Sequence, residues 1–225
     1  MKKLGLLVSG IVLSTALMAQ KPDASVPSTL EGQFGWNAST MSFDSPALRY
    51  RYFLQDNIAV RLTLGIDNRT NTENFFEDET NNTGGTGSYQ TKNNGLTFGV
   101  GGEYHFEGTN RLSPYVGADI LFGSGKVSTD GQNADGNSFV ADYSEMSEFR
   151  TSMFGVNLVA GTDFYFAQNF YFGLELGLGW ASHKEKEGES SVTFGGNTFI
   201  AKSNEATTSE FGNNVISTFR LGWRF

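Results

Sequence analysis

The sequence predicts an all-β fold, an eight-stranded antiparallel up-and-down transmembrane β-barrel. Three observations carry that prediction. Apolar and polar residues alternate with period two in eight separate runs of about ten residues, the length at which a tilted strand crosses a bilayer. The connections between the runs are alternately short and long, apart from a brief first loop. Every lysine (Lys2, Lys3, Lys21, Lys92, Lys126, Lys184, Lys186 and Lys202) falls outside the runs. A strand surface that faces water normally carries several lysines, so the apolar faces are expected to meet lipid.

The hairpin at 153–180 is the clearest pair. Phe154, Val156, Leu158, Ala160, Phe164 and Phe166 share one face of its first run, and Asn157, Gly161 and Asp163 oppose them. After the turn Ala-Gln-Asn, Phe172, Leu174, Leu176, Leu178 and Trp180 oppose Tyr171, Gly173, Glu175, Gly177 and Gly179. The remaining strands follow in order. Residues 30–38 place Glu31 and Gln33 opposite Phe34 and Trp36, and residues 47–53 place Arg49 and Arg51 opposite Leu48, Tyr50 and Tyr52. The turn at 54–57 contains Asp56 and Asn57, which tolerate turn geometry. Residues 58–66 alternate without a break, with Arg61 among the polar positions. Residues 96–106 and 113–123 form the fourth and fifth strands, with Glu103 and His105 on the polar face of one and Asp119 on that of the other. Pro114 stands near a strand start, where a missing N–H is tolerated. Residues 214–225 close the chain, with Arg220 and Arg224 opposite Phe219, Leu221, Trp223 and Phe225. The polar segments 67–94, 124–150 and 181–212 lack sustained periodicity and are expected as three long loops.

The charged residues within the strands are balanced. Glu31, Glu103, Asp119, Asp163 and Glu175 share the polar face with Arg49, Arg51, Arg61, Arg220 and Arg224. Equal numbers of opposite charges suit an enclosed space, where an unpaired ion is costly, and arginine's planar fork suits paired carboxylates. Eight strands leave a lumen narrow enough for side chains to fill, so an ionic plug is expected in place of a wide aqueous pore. A strand edge inside hydrocarbon would strand backbone donors and acceptors, so the first and last strands must meet. Trp36, Tyr52, Phe106, Phe164, Phe166, Trp180 and Trp223 are candidates for interfacial aromatic girdles.

Composition narrows the classes further. The chain has 225 residues, no cysteine and a net charge of -8. Disulfides and thiolate metal sites are excluded, and an acidic balance disfavours a nucleic-acid partner. Residues 1–19 read as a cleavable signal peptide: Lys2 and Lys3, an apolar run from 4 to 17, and a small residue at Ala19. Residues 20–29 follow as a periplasmic, mobile lead-in with two prolines, and 30–225 form the barrel domain.

The eight alternating runs and the last strand, Val-Ile-Ser-Thr-Phe-Arg-Leu-Gly-Trp-Arg-Phe ending at Phe225, resemble the small eight-stranded outer-membrane proteins of the OmpA/OmpX-like superfamily. The start, with Ala19-Gln20, is similar to Bacteroidetes-type export signals. The resemblance covers the mature chain. It implies a Gram-negative outer-membrane location, periplasmic termini and turns, extracellular loops, and a terminal Phe225 read by the outer-membrane assembly machinery. It also implies contact with outer-membrane lipids and lipopolysaccharide, and a monomer is expected. No peptidoglycan-binding domain is expected after Phe225.

The search for chemistry yields no catalytic, cofactor-binding or metal residue. His105 reads as a member of the lumen network. His183 reads as a solvated loop residue; the His-x-Ser pair of eight-stranded lipid A deacylases is not met, since Glu185 stands two beyond it. Ten-stranded omptin proteases do not match the strand count. Residues 130–137 fail the EF-hand spacing, and Glu73, Glu77, Asp78 and Glu79 read as a solvated cluster. Gly84-Gly85 and Gly195-Gly196 do not sit between a strand and a helix, so no phosphate loop is indicated. The expectation is a non-enzymatic barrel with a structural or surface-interaction role in adhesion or envelope integrity, its loop partner unknown. A small passive pore is the alternative, and a lipid-modifying enzyme is the third reading.

Overall fold

The computed structural model describes residues 21–37, 42–78, 80–81, 83–133, 143–211 and 216–225. The expected signal peptide, residues 1–19, lies outside them, as do Glu79 and residues 134–142 of the second long connection. Among the described residues eleven strands form one antiparallel sheet: β1 Ser28–Asn37, β2 Ser42–Gln55, β3 Ile58–Asp78, β4 Thr83–His105, β5 Leu112–Asn133, β6 Ser144–Ala167, β7 Phe170–Glu185, β8 Gly188–Phe194, β9 Asn197–Ser203, β10 Ala206–Phe211 and β11 Ile216–Arg224.

Eight of these, β1 to β7 and β11, close on themselves. Each of β1 to β6 pairs with the next, and β11 pairs with both β7 and β1. Thr29 lies opposite Arg224 and Gly35 opposite Thr218 across the closing seam. Closure leaves no open edge within the barrel, as hydrocarbon demands. The turns at one end are tight. Asn169, with φ of 67°, completes the β6–β7 turn, a conformation asparagine tolerates better than most residues.

Alternation sorts the side chains as expected. On β7, Leu174, Leu176 and Leu178 are 57–60% exposed on the outer face while Glu175 between them is 2% exposed. The outer band runs from Phe170 to Trp180 on that strand. At the usual rise and tilt these positions span about 25 Å, the height of a barrel's apolar band. Aromatic pairs mark both borders. Phe166 stacks on Phe172 at 4.4 Å, and Phe170, Trp223 and Phe225 follow one another at 6.3 and 4.6 Å near the short-turn end. Phe122, Phe154 and Trp180 form the opposite border at 5.5 and 6.0 Å. Trp36 falls in a strand, but its side chain lies outside the described residues.

The three expected long loops are corrected. The described parts of 67–94 and 124–150 are mostly strand, because β3 and β4 pair from Ile58 opposite Tyr104 up to Asp78 opposite Thr83, and β5 and β6 pair up to Gln132 opposite Ser144. The third connection carries β8, β9 and β10; β8 extends the sheet from β6, and β10 lies on β7. Gly195 and Gly196, with φ of 57° and 75°, make the tight turn between β8 and β9. Backbone ladders hold these extensions beyond the lipid, where no greasy face is needed to keep a strand straight. Consequently Lys92, Lys126, Lys184 and Lys202 do lie in strands, but above the apolar band. The residues before β1 are tied to the short-turn end: Lys21 N–H donates to Asn110 O at 2.6 Å, Phe53 N–H to Pro27 O at 2.8 Å and Ala24 N–H to Asp56 Oδ1 at 2.6 Å.

Candidate functional site

The lumen holds the densest chemistry. All ten charged residues that parity assigned to it are at most 5% exposed. Three arginines each join several strands. Arg51 on β2 reaches Glu31 on β1 at 2.6 Å, Glu103 on β4 at 3.0 Å and Asp163 on β6 at 2.8 Å. Arg220 on β11 holds Glu31 at 2.9 Å and Asp163 at 2.7 Å, closing a ring of two cations and two anions. Arg61 on β3 bonds Glu103 at 2.9 Å, Glu175 at 3.0 Å and both oxygens of Asp119. Arg49 grips Glu175 with two nitrogens at 2.8 and 3.2 Å and donates to Thr63.

Tyrosines seal the network. Tyr115 donates to Glu175 at 2.5 Å, and its ring lies 5.1 Å from the Arg220 guanidinium. The Tyr171 ring faces Arg51 at 5.1 Å. Glycines make the room: a Cβ on Gly173 would come within 2.5 Å of Arg220, and one on Gly222 would fall on the Tyr171 ring. The fifth arginine is held differently. Arg224 donates to the backbone carbonyls of Val26 and Asp23 at 2.6 and 2.8 Å and lies 3.9 Å over the Phe53 ring. It thereby pins the segment before β1 across the short-turn mouth.

His105 has neighbours that sequence did not supply. Its Nε2 lies 3.0 Å from Glu103 and its Nδ1 2.9 Å from the Ser113 hydroxyl. The ionised carboxylate accepts only, so Nε2 donates and, in a neutral ring, Nδ1 accepts from Ser113. Serine, histidine and glutamate thus stand in a row, but Ser113 and His105 are 1% and 2% exposed. The imidazole is sandwiched between Phe53 and Tyr115, each ring centre 5.1 Å away, and Arg51 and Arg61 already hold Glu103. Ser113 shares parity with Tyr115 and Asp119, which was the available signal. His183, expected in a loop, is an exposed residue of β7 opposite Met153 and Thr208.

Above the ion-pair network, toward the long-strand end, a cavity of about 270 Å³ is bordered by Gln33, Arg49, Thr63, Asp119, Asn157 and Glu175. Farther out, Tyr89, Tyr143 and Glu145 form a hydrogen-bonded cluster, with Tyr143 donating to Glu145 at 2.7 Å. Partial desolvation, followed by the bonds to Tyr89 and Glu145, pushes the Tyr143 phenol above its ordinary value. At the other mouth, the hydroxyl and N–H of Ser25 lower the Asp23 carboxyl. Among the described residues no group of three or more His, Asp and Glu is placed to hold a metal ion.

The sequence model of the putative OmpA-OmpF-like porin family matches residues 33–179. No curated protein matches the chain. Among solved structures, the N-terminal β-barrel domain of Pseudomonas aeruginosa OprF is 16% identical, with 88% of this chain and 96% of that one covered and a TM-score of 0.41. The KdgM porin, solved in complex with disordered oligogalacturonate, is 12% identical, with 88% and 98% covered and a TM-score of 0.19.

Proposed function

The chain belongs to the putative OmpA-OmpF-like porin family, and from that premise we propose that this outer-membrane β-barrel is a non-enzymatic scaffold. In this reading a plugged barrel anchors an extracellular sheet that serves surface interaction, adhesion or envelope integrity. The short turns face the periplasm, and the extensions of β3 to β7 with β8 to β10 stand outside the cell. Residues 1–19 are removed on export, the last strand with Phe225 engages the assembly machinery, and the barrel works as a monomer among outer-membrane lipids and lipopolysaccharide.

One observation carries this reading: the lumen is crossed by bonded ion pairs that draw on all eight barrel strands, β1 to β7 and β11. Such a network braces the wall and leaves its groups committed to one another. The Ser113–His105–Glu103 row supports the non-enzymatic reading as well, because a nucleophile needs a substrate within reach and aromatic rings occupy that space. The purified barrel in planar bilayers is expected to give no reproducible conductance. Robust lipid or peptide hydrolysis lost in His183→Ala or Ser113→Ala would overturn the non-enzymatic assignment.

The second reading is a small passive pore. Its support is the 270 Å³ cavity, which leads into the lumen as far as the Arg49–Glu175 pair. Steady single-channel steps that grow in Arg49→Ala would favour it over the plugged scaffold.

A further inference from the structure

The outer face changes character sharply above the apolar band. On β3 to β7 the continuous apolar band ends at Ile66, Leu96, Phe122, Phe154 and Trp180. Two residues farther out on each strand, on the same face, stand Asn68, Asn94, Ser124, Ser152 and Ser182. Two beyond those stand Thr70, Lys92, Lys126, Arg150 and Lys184. Register pairs Asn68 with Asn94, Thr70 with Lys92, Ser124 with Ser152 and Lys126 with Arg150, and at the two seams between, β4–β5 and β6–β7, the rows step by two residues, with Asn94 opposite Lys126 and Ser152 opposite Lys184. A chain with a net charge of -8 thus carries four cations and no anion in one row, at the height where lipid headgroups meet the barrel.

Arg150 sits between two open clefts on this face. One, about 500 Å³, has Ile66 and Leu96 below and Asn68, Asn94, Ser124 and Lys126 above; Asp67 is its one carboxylate. The other, about 590 Å³, adds Lys186 and Lys202 but also Glu148, Glu187 and Glu189. Glu148 pairs with Lys126 at 2.8 Å and Glu205 with Lys184 at 2.7 Å, both pairs about half exposed. Exposed pairs of this kind exchange readily for a stronger anion. Arg150 and Lys92 make no ion pair among the described residues.

We infer that this row binds the phosphate groups of a phosphorylated glycolipid in the outer leaflet. The first cleft is the phosphate seat, with Lys126 and Arg150 as the charged grip, Asn68, Asn94 and Ser124 as neutral donors, and Ile66 and Leu96 against the acyl chains. A diester phospholipid offers one phosphate at one depth, whereas a glycolipid bearing two spans neighbouring strands and meets Lys92 or Lys184 as well. The inference rests on the orientation proposed above.

The test uses the full barrel, delipidated, folded into phosphatidylcholine nanodiscs and offered diphosphoryl lipid A or its dephosphorylated form, with retained lipid counted by native mass spectrometry. Wild type is expected to retain the diphosphoryl form ~10-fold more, since each cation near a headgroup adds a several-fold factor. The quadruple variant K92Q/K126Q/R150Q/K184Q is expected to lose that preference, and K21Q/R111Q, with two charges removed at the other end, to keep it. Equal retention of both lipids by wild type overturns the inference. So does a preference that survives the quadruple variant, one lost equally in K21Q/R111Q, equal retention of phosphatidylglycerol, or displacement by inorganic phosphate at matching concentration. Should the quadruple variant fail to fold, K126Q/R150Q is read in its place. In intact cells, Asn197→Cys with an impermeant thiol reagent reads orientation separately. Labelling with no phosphate preference removes this inference alone, whereas no labelling removes the orientation too.

Discussion

Two sets of cations on this barrel do opposite work. Inside, Arg49, Arg51, Arg61, Arg220 and Arg224 are at most 5% exposed; outside, four of the five lysines beyond the apolar band stand on the outer face of strands, and Lys186 lies just past the end of β7. Buried this far, a lumen cation must satisfy several fixed carboxylates at once, and a guanidinium reaches three acids where an ammonium offers a compact point charge. At the rim, water and headgroups are present, and a flexible lysine holds its charge there at little cost. Residue choice thus follows the local solvent, even where the charge is the same.

The strongest way to break the comparison is to remove an inside cation. Arg51→Met leaves Glu31, Glu103 and Asp163 facing one another without their shared partner. A loss of ~3–5 kcal/mol is expected, because stranding a buried charge costs far more than the pair contributes. Reversible denaturant unfolding in bilayers measures it, and Arg51→Lys is expected to recover only part. A loss below ~1 kcal/mol would mean that water reaches the lumen freely.

Next in size is a charge placed on the wrong side. Leu176, 60% exposed at the middle of the band, is one residue from Glu175 in the lumen network. Leu176→Arg is expected to cost ~2–4 kcal/mol in bilayers, the price of a cation at the midplane. A near-neutral result would contradict the lipid-facing assignment. Gly222→Ala tests crowding on the inner side, since the new methyl meets the Tyr171 ring beside Arg51. An overpacking loss of ~1–3 kcal/mol is expected, and Tyr171→Phe should leave most of it in place, because ring carbons as well as the hydroxyl stand in the way.

Much of this was legible in the sequence, for a physical reason. Within lipid every strand must separate greasy from polar faces, so parity alone assigned Glu31, Arg51, Asp163 and the other seven charges to the lumen. Beyond lipid that requirement lapses. Residues 67–78 and 83–94 read as loop because neither face is sustainedly apolar, yet the β3–β4 ladder continues through them. The partners of Arg224 were illegible for another reason: it bonds backbone carbonyls of Asp23 and Val26, which any residues at those positions would supply. Ser113 went unread although its parity with Tyr115 and Asp119 points it to the lumen, because a lone hydroxyl at a strand start does not announce the histidine it will meet.

The smallest effect sharpens the contrast most. Lys126→Gln removes a rim cation whose side chain is 46% exposed and whose partner Glu148 is 47% exposed. A change within about 0.5 kcal/mol is expected, since solvent screens such a pair and entropy opposes holding it. The same unfolding assay run beside Arg51→Met gives the ratio directly, and raising the salt should shrink the Lys126 effect while leaving the Arg51 effect nearly unchanged. Should Lys126→Gln cost as much as Arg51→Met, the rim cation would be holding the fold together as the lumen cations do, and the division between an inner brace and an outer headgroup contact would fail.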